Sequence, residues 1–246
     1  MSIKTPEELE ALKAAGRVVA EAIRVMSGHA APGVSTAQLD DVAARVFAAA
    51  GARSGPQLDY GFPGTTCISV NDEAVHGIPG RRVLRDGDLV KLDVTAELDG
   101  FYADACVSVP VGNASSSTER LADAGRRALD TAIGVARAGV SLNEVGRTVE
   151  QTVSGFGYSV CRDLMGHGIG RRIHEPPDVP NFHDPLLGQP LTEGLVITIE
   201  PIIAAGTGTV HQASDGWTFK TDDGSPAAHA EHTIVVTRGA PIILTA

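Results

Sequence analysis

Four carboxylates stand where apolar strands should be. Asp93 lies inside Leu89-Val90-Lys91-Leu92-Asp93-Val94, and Asp104 follows across Leu98-Asp99-Gly100-Phe101. Glu200 ends the run Val196-Ile197-Thr198-Ile199, and Glu231 opens the last apolar run, Thr233-Ile234-Val235-Val236. An isolated Asp of this kind reads equally as part of a solvated edge strand or as the partner of an Arg. Four of them with few cations nearby would repel one another and raise each other's pKa values unless positive charge sat between them. Divalent metals answer that need. Several oxygens with one or two imidazoles suit Mn, Fe(II), Co or Zn, and a carboxylate-bridged pair of ions in particular.

Imidazoles are at hand. His167 is flanked by Gly166 and Gly168, where backbone must approach something closely. His174 precedes Glu175-Pro176-Pro177, and His76 precedes Gly77-Ile78-Pro79. Each alone reads as a structural histidine; three in glycine-lined turns beside a carboxylate set read as chemistry. Other signatures are absent: no HExxH, no GxSxG elbow, no phosphate-binding GxxxxGK[ST] loop and no zinc-type cysteine pair.

The elements that must hold these groups follow from periodicity. Alternation puts Leu89, Lys91 and Asp93 on one face of a strand, with Val90, Leu92 and Val94 on the other. Asp99-Gly100 is a hairpin signal, so the Asp93 and Asp104 strands are expected to be antiparallel neighbours. Counting from the turn centre, facing the two carboxylates requires a bulge or a longer loop. Strands are expected at Cys67–Val70, Asp88–Glu97, Leu195–Ile203 and His232–Thr237. Four helices are expected to open on capping boxes: Thr5–Glu8, Ser35–Gln38, Ser116–Glu119 and Ser141–Glu144. Pro176 to Pro180 reads as a stiff loop.

The order helix, helix, strands occurs twice. Gly33-Val34-Ser35 matches Gly139-Val140-Ser141, and Gly87 ahead of Asp93 matches Gly194 ahead of Glu200 at nearly the same offset. The expectation is one α+β domain over residues 1–246, with halves of about 1–112 and 117–246 related by a pseudo-twofold axis around one antiparallel sheet. Asn113 to Ser117 would be the crossover.

Thirty acidic against 20 basic residues give a net charge of −10, which argues against nucleic acid or anionic membrane as a partner. No apolar run is long enough to span a membrane, and an acidic start fits neither a signal nor a transit peptide. Three widely spaced cysteines make a disulfide framework improbable, so the reading is a cytoplasmic protein.

Taken together, Val75-His76-Gly77-Ile78-Pro79, Lys91-Leu92-Asp93-Val94-Thr95, Asp99 to Asp104, Gly166 to Gly170 with His174-Glu175-Pro176, Thr198 to Pro201 and Glu231-His232-Thr233 resemble the type I methionine aminopeptidases. The segments keep that family's order and cover nearly the whole chain. The resemblance implies the pita-bread fold and removal of the initiator methionine from nascent proteins when the second residue is small. It implies two divalent ions (Co, Mn, Fe(II), Zn or Ni) on Asp93, Asp104, His167, Glu200 and Glu231, with Asp104 and Glu231 bridging. A hydroxide between the ions would attack the first peptide bond while the free amine of the substrate binds a metal. Glu200 would move the proton, His174 would donate to the carbonyl oxygen and His76 would contact the amide nitrogen. Phe62, Cys67 and Trp217 fall where the family lines its methionine pocket, although core packing alone would also account for Phe62 and Trp217. Asp59 and Ile173 depart from a common bacterial pattern in which aromatic residues stand, which bears on pocket shape. The partner is the N-terminal Met of nascent chains and Met-peptides, the protein is expected to be a monomer, and proximity to the ribosome is left open. Rival readings are an X-Pro aminopeptidase or dipeptidase, whose extra N-terminal domain has no room here, and a non-catalytic binding protein of the same fold, which predicts lost ligands.

Overall fold

The computed structural model describes residues 1–246. Its helices are α1 (Pro6–His29), α2 (Thr36–Ala50), α3 (Gly55–Tyr60), α4 (Ser116–Val135) and α5 (Leu142–Gly155). Its strands are β1 (Arg53–Ser54), β2 (Cys67–Val70), β3 (Glu73–Val75), β4 (Leu89–Leu98), β5 (Phe101–Pro110), β6 (Ser159–Val160), β7 (Gly166–Gly168), β8 (Glu175–Val179), β9 (Val196–Ile199), β10 (Ile202–Ala204), β11 (Val210–Gln212), β12 (Phe219–Thr221), β13 (Ala227–His229), β14 (Glu231–Val235) and β15 (Ile242–Ile243). No helix is long and apolar enough to cross a membrane.

The caps follow local chemistry, with three exceptions. Thr5 accepts from Glu8 N ahead of a Pro at the first helical turn, but the Glu8 carboxylate accepts from Lys4 N instead of closing the box, whereas Ser35 and Gln38 form the reciprocal box of α2. The cap of α4 is Ser115 rather than Ser116, and it accepts from Thr118 N. Ser141 precedes α5 but makes no side-chain cap bond. There the first amides are satisfied by tertiary partners instead: Leu142 N donates to Gln189 O and Asn143 N to Leu187 O.

Every strand pair is antiparallel. The main sheet has nine strands in the order β1-β4-β5-β14-β9-β7-β8, with β2 on β4 and β15 on β14, and two smaller sheets are β13-β10-β6 and β11-β12-β3. One face of the main sheet is aliphatic. Val90, Leu92, Val94 and Ala96 pack with Val19, Met26, Leu39 and Phe47 of α1 and α2. Ile197, Ile199 and Ile234 pack with Leu121, Leu129, Val145 and Val149 of α4 and α5. Each such Val, Leu, Ile, Met or Phe side chain contributes about 1.5–3 kcal/mol on full burial. The opposite face carries the residues with chemistry.

The two helix pairs are tied in the same way to the segments that precede β4 and β9. Gly33 N donates to Leu84 O and Leu84 N to Val34 O; Gly139 N donates to Leu191 O and Leu191 N to Val140 O. Ser35 bridges to Val83, and Ser141 to Pro190.

Three local expectations change. The Asp99-Gly100 turn is tight, both residues having positive φ, and β4 pairs β5 in unbroken register from Leu98↔Phe101, with no bulge. The run from Leu195 to Ile203 is two strands, because the chain leaves the main sheet at Glu200-Pro201 and enters a smaller one. Glu175–Val179 is a strand rather than a loop; it lies at the edge of the main sheet, where prolines interrupt no further ladder.

Candidate metal centre

Asp93 pairs with Cys106 and Thr95 with Asp104, so Asp93, Thr95, Asp104 and Cys106 share one face of the β4–β5 hairpin. The two carboxylates are therefore diagonal neighbours. The next strand, β14, begins with Glu231 opposite Cys106, which places its side chain on the same face. Thr233 locks that pairing: its hydroxyl accepts from Asp104 N and donates to Asp104 O. Glu200 sits at the break after β9, where Asn181 Nδ2 donates to its carbonyl. His167 is the middle residue of β7.

The glycines around His167 are required by close packing. A Cβ on Gly166 would lie 2.7 Å from Thr198 O, and one on Gly168 would collide with Pro176 O. Nδ1 of His167 is bonded to Gly168 O at 2.9 Å, which leaves Nε2 as the free nitrogen, 3.5 Å from Glu200 Oε1. The rings of His167 and His174 are 4.1 Å apart. His76 has φ of +57°, an uncommon backbone for a non-glycine residue, held by Ser69 Oγ accepting from Gly77 N.

These groups line one cavity of about 430 Å3, and it also takes in Phe62, Cys67, Ile173 and Trp217. Phe62 meets Trp217 edge to face at 5.2 Å. Asp59 does not line the cavity. Its carboxylate accepts from Tyr102 Oη and from Ile173 N, so it anchors the backbone just before His174.

The charge balance is what a metal would repair. Asp104, Glu200 and Glu231 are buried, and no Lys or Arg pairs with any of the four carboxylates. Lys91, on the same face, gives its ammonium to Asn71 O, and burial pulls its pKa down to about 7. Thr95 donates to Asp104 Oδ2 and Thr198 to Glu200 Oε1, while Asp104 Oδ1 and Glu231 Oε1 have no partner at all. Burial pushes Asp104 up to about 7 and Glu200 up to about 8. Burial, and then the charges of their neighbours, raises Asp93 and Glu231 well above the carboxylate range. Burial also holds His167 down at about 3 and His76 at about 4, so both are neutral imidazoles. Orphaned carboxylate oxygens facing neutral imidazoles are a donor set that fits divalent cations. Two groups of three could each hold one: Asp104, His167 and Glu231, and Glu200, His229 and Glu231, with Glu231 common to both.

Residues 10–238 match the model of metallopeptidase family M24. The chain belongs to that family. It is 43% identical to methionine aminopeptidase 2 of Bacillus subtilis over 100% of this chain and 99% of that protein. A crystal structure of methionine aminopeptidase from Thermotoga maritima superposes with a TM-score of 0.96 at 38% identity, covering 100% of this chain and 99% of that one. A prolidase from Pyrococcus furiosus has a TM-score of 0.79 at 22% identity, with 99% of this chain matching 65% of that one. That likeness shows the fold alone, the pita-bread fold of the M24 metallopeptidases, and the chain is a metal-dependent hydrolase of that class.

Two titratable residues at the site escaped the sequence reading. Tyr60 lines the cavity and is bonded to His174 Nδ1 at 2.6 Å; its only sequence signal was an aromatic in a Gly-rich loop. His229 lines it too, from the end of β13 in a smaller sheet, and its place two residues before Glu231 in the sequence was the available clue.

Proposed function

We propose that the chain is a methionine aminopeptidase that removes the initiator Met from nascent polypeptides in the cytoplasm, acting as a monomer. The observation that carries this is the placement of an uncompensated carboxylate–imidazole cluster and an aromatic-walled slot in one cavity. Full-length identity of 43% to a methionine aminopeptidase supports the choice of substrate.

Asp93, Asp104, His167, Glu200 and Glu231 would hold two divalent ions. Co, Mn, Fe(II), Zn or Ni all suit such a set. Bound ions supply Lewis acidity, which polarises a carbonyl and acidifies water at neutral pH.

The chain's own residues do the rest. The Thr198 hydroxyl donates to Oε1 of Glu200 and orients its carboxylate, which takes a proton from the attacking water and returns it to the departing amine. With Nδ1 of His174 occupied by Tyr60, its Nε2–H is the group that donates to the carbonyl oxygen as charge develops there. His76 contacts the scissile amide. Phe62, Cys67, Ile173 and Trp217 wall the slot for an unbranched thioether side chain. The Cys67 thiol, which burial pushes well above its ordinary pKa, stays neutral and acts as apolar wall. Crowding by His174 beside the cluster limits the second residue to small side chains.

The test is a peptide panel on metal-loaded protein: Met-Ala-Ser, Leu-Ala-Ser and Ala-Pro-Ser. Cleavage of the first with little action on the others is expected. Cleavage of Ala-Pro-Ser with no action on Met-Ala-Ser would move the protein to the X-Pro branch of the family.

A further inference from the structure

We propose that His229 is an additional metal ligand, holding one ion together with Glu200 and Glu231. The inference rests on reading the cavity as a metal centre, and it adds a second imidazole to the five residues that the family resemblance implies.

His229 closes β13 and is 2% exposed, yet neither Nδ1 nor Nε2 has a hydrogen-bond partner. A buried imidazole with both nitrogens idle is costly unless something occupies one of them. Its Nε2 lies 3.5 Å from Glu200 Oε2 and 3.7 Å from Glu231 Oε2, beyond the usual hydrogen-bond range. The separations do suit a shared ion. Ligand atoms about 2.1 Å from one cation at tetrahedral angles stand about 3.4 Å apart. The residue is also clamped: its N–H donates to Ser108 Oγ, and Ser108 Oγ donates back to its carbonyl. Both backbone groups are therefore tied to β5, the strand that carries Asp104, which fixes the point from which the ring projects into the cavity. His167, by contrast, has Nδ1 satisfied by Gly168 O and faces Glu200 through its other oxygen, Oε1. The two imidazoles thus approach the carboxylates from different sides.

The experiment uses full-length protein loaded with Co(II). Proton NMR in water counts the exchangeable imidazole N–H signals that bound Co(II) moves far outside the normal range. Two such signals are expected in wild type, one each from His167 and His229. His229→Gln should remove one signal and weaken the binding of one of the two ions by at least about 100-fold in a chelator competition, leaving the other within a few-fold. Gln keeps a neutral donor of similar reach. A variant with wild-type affinity for both ions would therefore mean that His229 only donates to a carboxylate, and the proposal would be wrong. A single signal in wild type overturns it without any variant, so the result does not depend on the folding of His229→Gln. Failure of wild type to take up Co(II) at all would instead bring down the metal-centre reading, and this inference with it.

Discussion

The phenol of Tyr60 lies 2.6 Å from Nδ1 of His174, joining the end of α3 to the segment that precedes β8. Burial, and then the charge of Asp59, raises the phenol's pKa, so it stays protonated, and the mechanism uses the arrangement in which it donates to Nδ1. The imidazole must then carry its own proton on Nε2, the tautomer needed to stabilise a developing oxyanion. Tyr60→Phe keeps the ring and loses only this bond, so kcat should fall about 3–10-fold, as for one hydrogen bond. Metal content should not change. Steady-state kinetics with metal analysis on the same sample checks both, and an unchanged kcat would remove Tyr60 from the mechanism.

His174→Ala removes the donor itself. The expected loss is roughly 10²-fold or more in kcat, with metal content near wild type. If the variant loses its metal along with its activity, His174 is a ligand and its role is misassigned.

Chelation should abolish activity, and Mn, Fe(II) or Co should restore it. Asp104→Asn and Glu231→Gln, at the positions that the resemblance implies are shared, should each lower the occupancy of both ions, which elemental analysis of the purified variants reads directly. Full peptidase activity in metal-free protein would contradict the mechanism at its root.

Gly168→Ala places a methyl against Pro176 O on the strand beside it. Overpacking of backbone costs on the order of 1–3 kcal/mol, and each kcal/mol lowers Tm by about 2–4 °C in a protein of this size. Because His167 precedes this glycine, metal affinity should fall in the same variant. Calorimetry of apo and loaded protein separates the two effects. A Tm equal to wild type would show that β7 and β8 have room to part.

The slot bounded by Phe62 and Trp217 should read length and flexibility more than sulfur. A norleucine peptide should be cleaved with a penalty of on the order of 1–3 kcal/mol or less in kcat/KM. An N-terminal Val or Asp peptide should fail, one through overfilling and the other through an unpaired buried charge. Trp217→Ala should raise KM for Met substrates more than it lowers kcat. Equal rates for Met and Val peptides would rule out this wall as the specificity element.

Sequence alone determined the parts of the site that obey local rules. Alternation along Leu89 to Val94 settled that Asp93 faces away from Val90 and Leu92, because adjacent side chains on a strand point to opposite faces. Asp99-Gly100 settled which strand would lie beside it, and the glycines flanking His167 signalled a close backbone approach that Thr198 and Pro176 make. The family motifs settled which side chains to watch. What the tertiary structure decided were the relations between distant segments. Glu231 meets Cys106 because β14 inserts between β5 and β9, and no local pattern encodes that register. The missing cap at Ser141 has the same origin, since Gln189 and Leu187 already take the amides that a cap would serve. Pro176 to Val179 became a strand because β7 offered it an edge. Tyr60 and His229 reach the cavity from α3 and from one of the smaller sheets. Their positions depend on how separate layers stack on the main sheet, and such non-local packing is decided only when the whole chain has folded.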